Sequence, residues 1–473
     1  MAWAYTLKSF RDSLSKQRYP PFAWMLLIAL LLIVTMAIVS NTTNRIHPDE
    51  FDHVAAARFY VDNWLPPPVA DPRTLDSYSY MGTSYLNEWD IVYVLAGKFA
   101  FLLRPLVHNE IYTFRFFNVF LFMVLTRLAW TRRDEILTFS ILLFSPQIWY
   151  VFSYFNGDAL PMFLAILAAY EMTSPRSAFN DRTRSLAARY FRLAAYVGLI
   201  VLSKKTFWMF AAFTVTYVAL AELWHFRNLG WGFYLRRAGM LTLLICAVAL
   251  PRICYDLYVN GMPSQKTQKM IATAELLSDK DFKPSRIGST AYTEGVNLKS
   301  RGWGLLGMAR WMRGHFYWFE QSLKSAFGVY HYFLILGPAP LYALSAVCVG
   351  LLVASVFLSI IRKGKPDDKV ILSLAAACSL GIVGLSLYHS WVNEFQPQGR
   401  YLFAIFPIVG VLLSRSKPLV SQVFVNCIVA ATFVLSSYSF VFVGLTEIPK
   451  YWEYIPSPDH PVLKLEREWK ESR

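Results

Sequence analysis

The stretch FAWMLLIALLLIVTMAIVS (22–40), followed closely by NRIHPDEFDHVAAARFY (44–60), decides how the rest of this chain is read. Its first part is an uncharged apolar run of the length a helix needs to cross a bilayer, about 20 residues. No small-residue cleavage site follows, so it reads as a retained span and not as a signal peptide. The second part crowds His47, Asp49, Glu50, Asp52 and His53 into the loop immediately after that span. Pro48 favours an extended His47 and then a helix start, with Asp49 and Glu50 in the first turn. Asp49 and His53, at i and i+4, then share a face.

Composition extends the membrane reading to the whole chain. Of 473 residues, 55% are hydrophobic and only 16% charged, whereas soluble domains carry about a quarter charged residues. The 36 Phe, 27 Tyr and 15 Trp exclude a disordered or collagen-like chain. A net charge of +15 raises the question of nucleic acid. The basic residues, however, fall mostly in short loops between apolar runs, where they set membrane topology, and no nucleic-acid partner is expected. Cys246, Cys254, Cys348, Cys378 and Cys427 all lie in apolar runs, so neither a disulfide framework nor a zinc site is implied.

Spans are expected near 22–40, 112–130, 136–155, 158–172, 190–203, 206–224, 238–258, 331–358, 370–388, 400–414 and 419–445, eleven in all. The segment WDIVYVLAGKFAFLLR (89–104) is interrupted by Lys98 and Arg104 and reads as an interfacial or bundle-packed helix. With Lys8, Arg11, Lys16 and Arg18 placed in the cytoplasm, the basic connections 130–135, 174–192, 225–237, 361–369 and 414–417 also fall inside. The expected fold is therefore an all-α polytopic membrane protein of about eleven transmembrane helices, one membrane domain over 1–445. Its outer loops 41–111 and 259–330 form a small helical cap, and 446–473 is an outer-face tail. Within 301–327, Trp303, Trp311, Phe316 and Trp318 alternate with Arg301, Arg310 and Arg313 in an interfacial-helix pattern.

That topology gathers the polar clusters on one face. Acidic capping of a helix start explains Asp49 and Glu50 as readily as chemistry does. The same cluster could hold a divalent cation, although its spacing matches no specific metal motif and the sequence does not require one. SYFNGDALPMF (153–163) puts Asn156 and Asp158 at the outer mouth of a span; Asn-Gly-Asp is good turn chemistry, but a carboxylate at that depth marks a polar cavity. LSKKTFW (202–208) places Lys204 and Lys205 outside, against the usual charge bias. Headgroup snorkelling explains them, and so does an anionic ligand such as phosphate. YHSWVNEFQPQGRYLFAIFP (388–407) brings His389, Glu394, Gln396, Gln398 and Arg400 together, groups suited to sugar hydroxyls and phosphate oxygens. Arg252, near the outer end of its span, is a further phosphate partner.

An acidic Asp-Glu pair just after the first span, in a long outer loop before many further spans, resembles the GT-C glycosyltransferase superfamily, which includes protein mannosyltransferases and the aminoarabinose transferases of lipid A. More closely, HPDEFDH (47–53), NGDAL (156–160), LSKKTF (202–207), EQSLKSAFG (320–328) and QGRYLFAIFP (398–407) resemble a bacterial family of membrane proteins of unknown function. The resemblance implies transfer of a sugar from a polyprenyl-phosphate donor to a glycan, lipid or protein acceptor on the outer face of the bacterial inner membrane. It implies Asp49 as general base, Glu50 as its neighbour and Asp158 as a second catalytic carboxylate. Lys204, Lys205, Arg252 and Arg400 would face the donor phosphate, and His47, His53, Asn156, His389, Glu394, Gln396 and Gln398 would line the substrate site. The expected stereochemistry is inversion in a single displacement. Two rivals remain at this stage. A polysaccharide polymerase or O-antigen ligase acts on diphosphate-linked glycans and leans on arginines, and an acidic first loop argues against it. A transporter places ionisable groups near the midplane, where this chain has almost none.

Overall fold

The computed structural model describes residues 20–42, 46–225, 230–287, 295–310 and 317–450. Lys8, Arg11, Lys16 and Arg18, the tail beyond 450, and Trp311, Arg313 and Phe316 of the expected interfacial helix lie outside the described residues.

Apolar sequence becomes helix throughout, because only a helix satisfies every backbone polar group within its own segment in hydrocarbon. In chain order the helices are α1 (Pro20–Val39), α2 (Glu50–Asp62), α3 (Val92–Leu103), α4 (Glu110–Thr131), α5 (Pro146–Ser153), α6 (Ala159–Thr173), α7 (Leu186–Val201), α8 (Trp208–His225) and α9 (Trp231–Asn260). They continue as α10 (Pro263–Leu277), α11 (Leu305–Arg310), α12 (Trp318–Ala326), α13 (Ala339–Lys363), α14 (Pro366–Val392), α15 (Ile405–Ser416) and α16 (Gln422–Tyr438). A two-residue antiparallel pair, β1 (Val329–Tyr330) with β2 (Ile335–Leu336), precedes α13. Among the described residues, seven helices are long and apolar enough to cross a membrane. The protein is a mostly helical, multi-pass membrane protein.

Three expected spans form helices shorter than a full crossing, α6 with 15 residues, α7 with 16 and α15 with 12, and two more change form. Residues 136–155 do not form one helix: two 3-10 turns, Arg133–Thr138 and Ser140–Leu143, lead into the short α5. Pro146 cannot extend a preceding helix, so it starts a new one, with the Ser145 hydroxyl accepting from the Gln147 N–H. The whole of α5 is buried. The span expected at 331–358 begins only at Ala339, after Pro338 and the β1–β2 turn. Helix α3 covers 12 residues, about 18 Å, which is short of the ~30 Å hydrocarbon layer. It lies against α2, where Gly97 lets the Tyr60 backbone approach: a Cβ on Gly97 would sit 2.7 Å from the Tyr60 carbonyl carbon.

The two long loops close on each other. Asp279 N–H donates to Tyr80 O at 2.9 Å, and Val69 N–H to Asn260 Oδ1 at 2.9 Å. Gly82, at φ +66°, fits beneath α10, where a Cβ would stand 2.7 Å from Ala274 Cα. This cap covers the end of the bundle at which α1 finishes and α6, α8 and α15 begin.

Candidate functional site

Four chain segments meet under the cap. Asp49 precedes α2, Asp158 precedes α6, Lys204 lies between α7 and α8, and Arg400 lies between α14 and α15. Asp49 adopts a left-handed backbone, φ 57° and ψ 11°, a conformation Asp tolerates better than most residues but still strained. Its N–H donates to the Tyr332 hydroxyl at 2.9 Å. Its carboxylate receives the Tyr85 hydroxyl at 3.4 Å and stands 3.8 Å from Arg400 Nη2. Asp158 is fully buried, 2.9 Å from Lys204 Nζ and 3.7 Å from Arg400 Nη1. Arg400 is thus poised between two carboxylates without a close bidentate bond to either, and its ring neighbour is Tyr401.

His53 joins this centre. Its ring stacks on Tyr85 at 4.0 Å between centroids, and Nδ1 shares a hydrogen bond with the Tyr93 hydroxyl at 2.7 Å. Burial, then the charges of Lys204 and Arg400, hold its pKa well below the usual histidine value, so the ring is neutral. His47 stands one layer back, stacked on Tyr154 and bonded through Nδ1 to the Tyr150 hydroxyl at 2.9 Å. Burial, then Arg115 and His331, lowers its pKa as well. Among the described residues, Asp158 Oδ1, Nε2 of His47 and of His53, and Nε of Arg400 are buried without a hydrogen-bond partner, and Asp158 Oδ2 has only its ion pairs with Lys204 and Arg400. Buried polar atoms are nearly always satisfied, so this concentration of exceptions makes the centre the candidate site.

Other expected site residues lie apart from this centre. Glu50 turns away, its two oxygens accepting from Arg115 Nε at 2.8 Å and Nη2 at 2.6 Å. Glu50 Oε1 also receives the Phe155 N–H, while Arg115 Nη1 closes on the carbonyls of Ala37 and Ser40. Asn156 is a local brace: Oδ1 accepts from the N–H groups of Asp158 and Ala159, and its amide donates to Val151 O and Tyr154 O. Lys205 is exposed and pairs with exposed Glu88 at 3.1 Å. Arg252 donates to the Tyr60 hydroxyl at 2.8 Å, two helical turns along α2 from His53. Gln396 bridges Glu394 and the Tyr401 hydroxyl, His389 is exposed near Tyr401, and Gln398 is half-buried one turn before Arg400. Glu394 pairs by backbone with Val296, tying this loop to the cap.

The structure adds residues that the sequence reading passed over: Tyr85, Tyr93, Tyr154, Tyr332 and above all Asp90. Asp90 Oδ1 accepts the Val92 N–H at the start of α3, and burial raises its pKa to about 7. Its Oδ2, Lys204 Cε and the Tyr93 hydroxyl all crowd Gly157, at 3.1, 3.1 and 3.4 Å from where a Cβ would be. The signal in NEWD (87–90), an acid just before an apolar run, has the form of the HPDE pattern. Among the described residues no three His, Cys, Asp or Glu side chains converge as metal ligands. The groups nearest Asp49 and Asp158 are cations and tyrosines.

No family model matches the chain, and no curated protein does. Among solved structures it is similar to ArnT from Cupriavidus metallidurans bound to undecaprenyl phosphate, with TM-score 0.48, 14% identity and 88% of this chain covered. For the same protein in the apo state the TM-score is 0.45, at the same identity and coverage. The chain spans 64% of the length of those structures.

Proposed function

We propose that this protein is a membrane glycosyltransferase that moves a sugar from a polyprenyl-phosphate donor to an acceptor hydroxyl, at a site on the outer face. The observation that carries this reading is the meeting of Asp49, Asp158, Lys204 and Arg400 in one buried centre at the end of the bundle. The Asp49-Glu50 pair just after the first span, ahead of many further spans, supports the same reading by its resemblance to GT-C enzymes.

The chemistry assigns a role to each group. Asp49 is the more accessible carboxylate, with 29% of its side chain exposed while Asp158 has none. Asp49 takes the proton from the acceptor hydroxyl as that oxygen attacks C1 of the sugar. The C1–O bond to phosphate breaks, and Lys204 and Arg400 stabilise the charge growing on the departing phosphate. Asp158 orients both cations. The result is inversion at C1. His53 Nε2 is free to meet a sugar hydroxyl. A site at this level lets the phosphate lie in the headgroup layer while the prenyl chain stays in lipid.

The test is mass spectrometry of lipids co-purified with the wild type and with Asp49→Asn. Accumulation of a polyprenyl monophosphate bearing one sugar in the variant is the expected result and identifies the sugar. A diphosphate-linked oligosaccharide would replace this reading with a polymerase or ligase. Ordinary phospholipid alone in both samples would remove its support.

A further inference from the structure

Two carboxyl groups compete for one lysine in this site. Lys204 Nζ is held 2.9 Å from Asp158, while Asp90 Oδ2 and Lys204 Cε lie equally close to the bare face of Gly157. The loops bearing them are joined by backbone, with Ile91 N–H donating to Leu202 O at 2.8 Å. Glycine at 157 is what permits this three-way approach, since any side chain there would push between Asp90 and Lys204. Asp90 spends one oxygen on the Val92 N–H at the start of α3, and its other oxygen borders the same space beside Gly157 as the Lys204 side chain.

Around Asp90, Lys204 is the nearby cation and Asp158 and Glu88 the nearby acids. Tyr93 lies on its own helix and Tyr60 on α2, where Arg252 holds the Tyr60 hydroxyl. His53 reaches it through Tyr93. Glu88 is already paired with Lys205, and Asp256, bonded to the neighbouring Trp89, with Lys266. A phosphate oxyanion arriving at Lys204 and Arg400 would therefore be the third anionic group around a single ammonium. Buried like charges this close do not all stay ionised.

We propose that Asp90 is the proton-holding residue of this anion site, taking one proton from solvent as a phosphodiester binds at Lys204 and Arg400 and releasing it when the anion leaves. Asp90 is a positioning residue: it acts through Lys204, freeing the ammonium for phosphate by giving up its own charge. The inference rests on the assignment of Lys204 and Arg400 to the donor phosphate. The raised pKa of Asp90, about 7, puts the change within the physiological range.

The probe is a methyl phosphodiester of a short isoprenyl alcohol, whose single acidic group stays ionised throughout. Its affinity for the full chain in detergent is measured between pH 6 and 8. Wild type should bind about tenfold more weakly at pH 8 than at pH 6, from linkage to one group titrating near 7. Asp90→Asn keeps the helix cap and the shape of a protonated acid, and should bind at the wild-type pH 6 level with no slope. An equal slope in both proteins, or a flat wild type, would overturn the role of Asp90 while leaving the phosphate site intact. No binding at any pH in either protein would overturn the phosphate assignment itself. Should the variant not fold, calorimetry of the wild type in two buffers of different ionisation heat gives the same answer. Uptake approaching one proton at pH 8 supports the proposal, and none refutes it.

Discussion

Helices α7 and α8 each run between two charged centres, and the two centres are built on opposite principles. At one end Glu222 accepts from Arg182 at 3.0 Å, Arg189 at 2.7 Å and also Arg237. At the other, roughly 20 Å away along α7, Asp158 has Lys204 at 2.9 Å, Arg400 only at 3.7 Å, and an Oδ1 without a hydrogen bond among the described residues. Both carboxylates are buried. The first is closed upon itself and ties three segments together. The second is less closed, with several buried polar atoms that have no hydrogen-bond partner among the described residues. The same contrast separates adjacent residues: the Glu50 carboxylate is saturated by Arg115, whereas the Asp49 carboxylate makes only long contacts on a strained backbone. Saturated charge holds the fold, and the less saturated charge is where the proposed function places the substrate.

The largest effect expected from this contrast is on turnover. Asp49→Asn should lower sugar transfer by about 10²–10⁴-fold, the range for loss of a general base, with an unchanged unfolding midpoint in a thermal melt. Glu50→Gln at equal rate loss and equal stability would erase the distinction between the two neighbours.

Next comes stability. Glu222→Gln leaves three arginines around a neutral amide and should cost about 3–5 kcal/mol, as breaking a buried ion network does. The same chemical change at Asp158 breaks its buried pair with Lys204 and should cost less than the change at Glu222, because one close cation loses its partner there and not three, while transfer falls sharply. Melting curves of the two variants side by side measure this, and a similar loss in both would break the comparison.

A smaller effect concerns pH. His47 and His53 are buried with lowered pKa values, so the unfolded chain binds more protons than the folded one below the ordinary value of 6.5. Their contribution to stability is therefore present above about pH 6.5 and lost as the pH falls. Asp90 works in the other direction. Its raised pKa makes the fold's stability decline as pH rises from about 4 toward 7. Asp90→Asn should thus gain in melting temperature over wild type at pH 8 and gain less at pH 5. The smallest effect belongs to Lys205. Its pair with Glu88 is exposed on both sides, so Lys205→Ala should shift stability by well under 1 kcal/mol and leave transfer within about twofold.

Much of the site was legible because topology does the gathering. Asp49, Asp158, Lys204 and Arg400 each stand next to a strong apolar run, so alternation of the chain across a bilayer places all four at one end. Residues without such a flag were harder to sort. Glu50 and Asp49 are neighbours of like chemistry, and nothing local says that Arg115, 65 positions on, takes one of them. Asn156 reads as a sugar ligand until its amide is seen tied to its own turn. Asp90 is concealed in a segment that reads as an interfacial helix, and its environment exists only once the loop before α6 and the loop after α7 close on it.

Hydropathy by itself determined that this is a multi-pass helical membrane protein with its polar groups at the ends of its helices, because the cost of unpaired backbone in hydrocarbon leaves a chain of this composition few alternatives. Only the tertiary structure decided which of those charges saturate one another and which stay open. Pairing depends on distances of a few ångströms between segments far apart in sequence, and no local pattern encodes them.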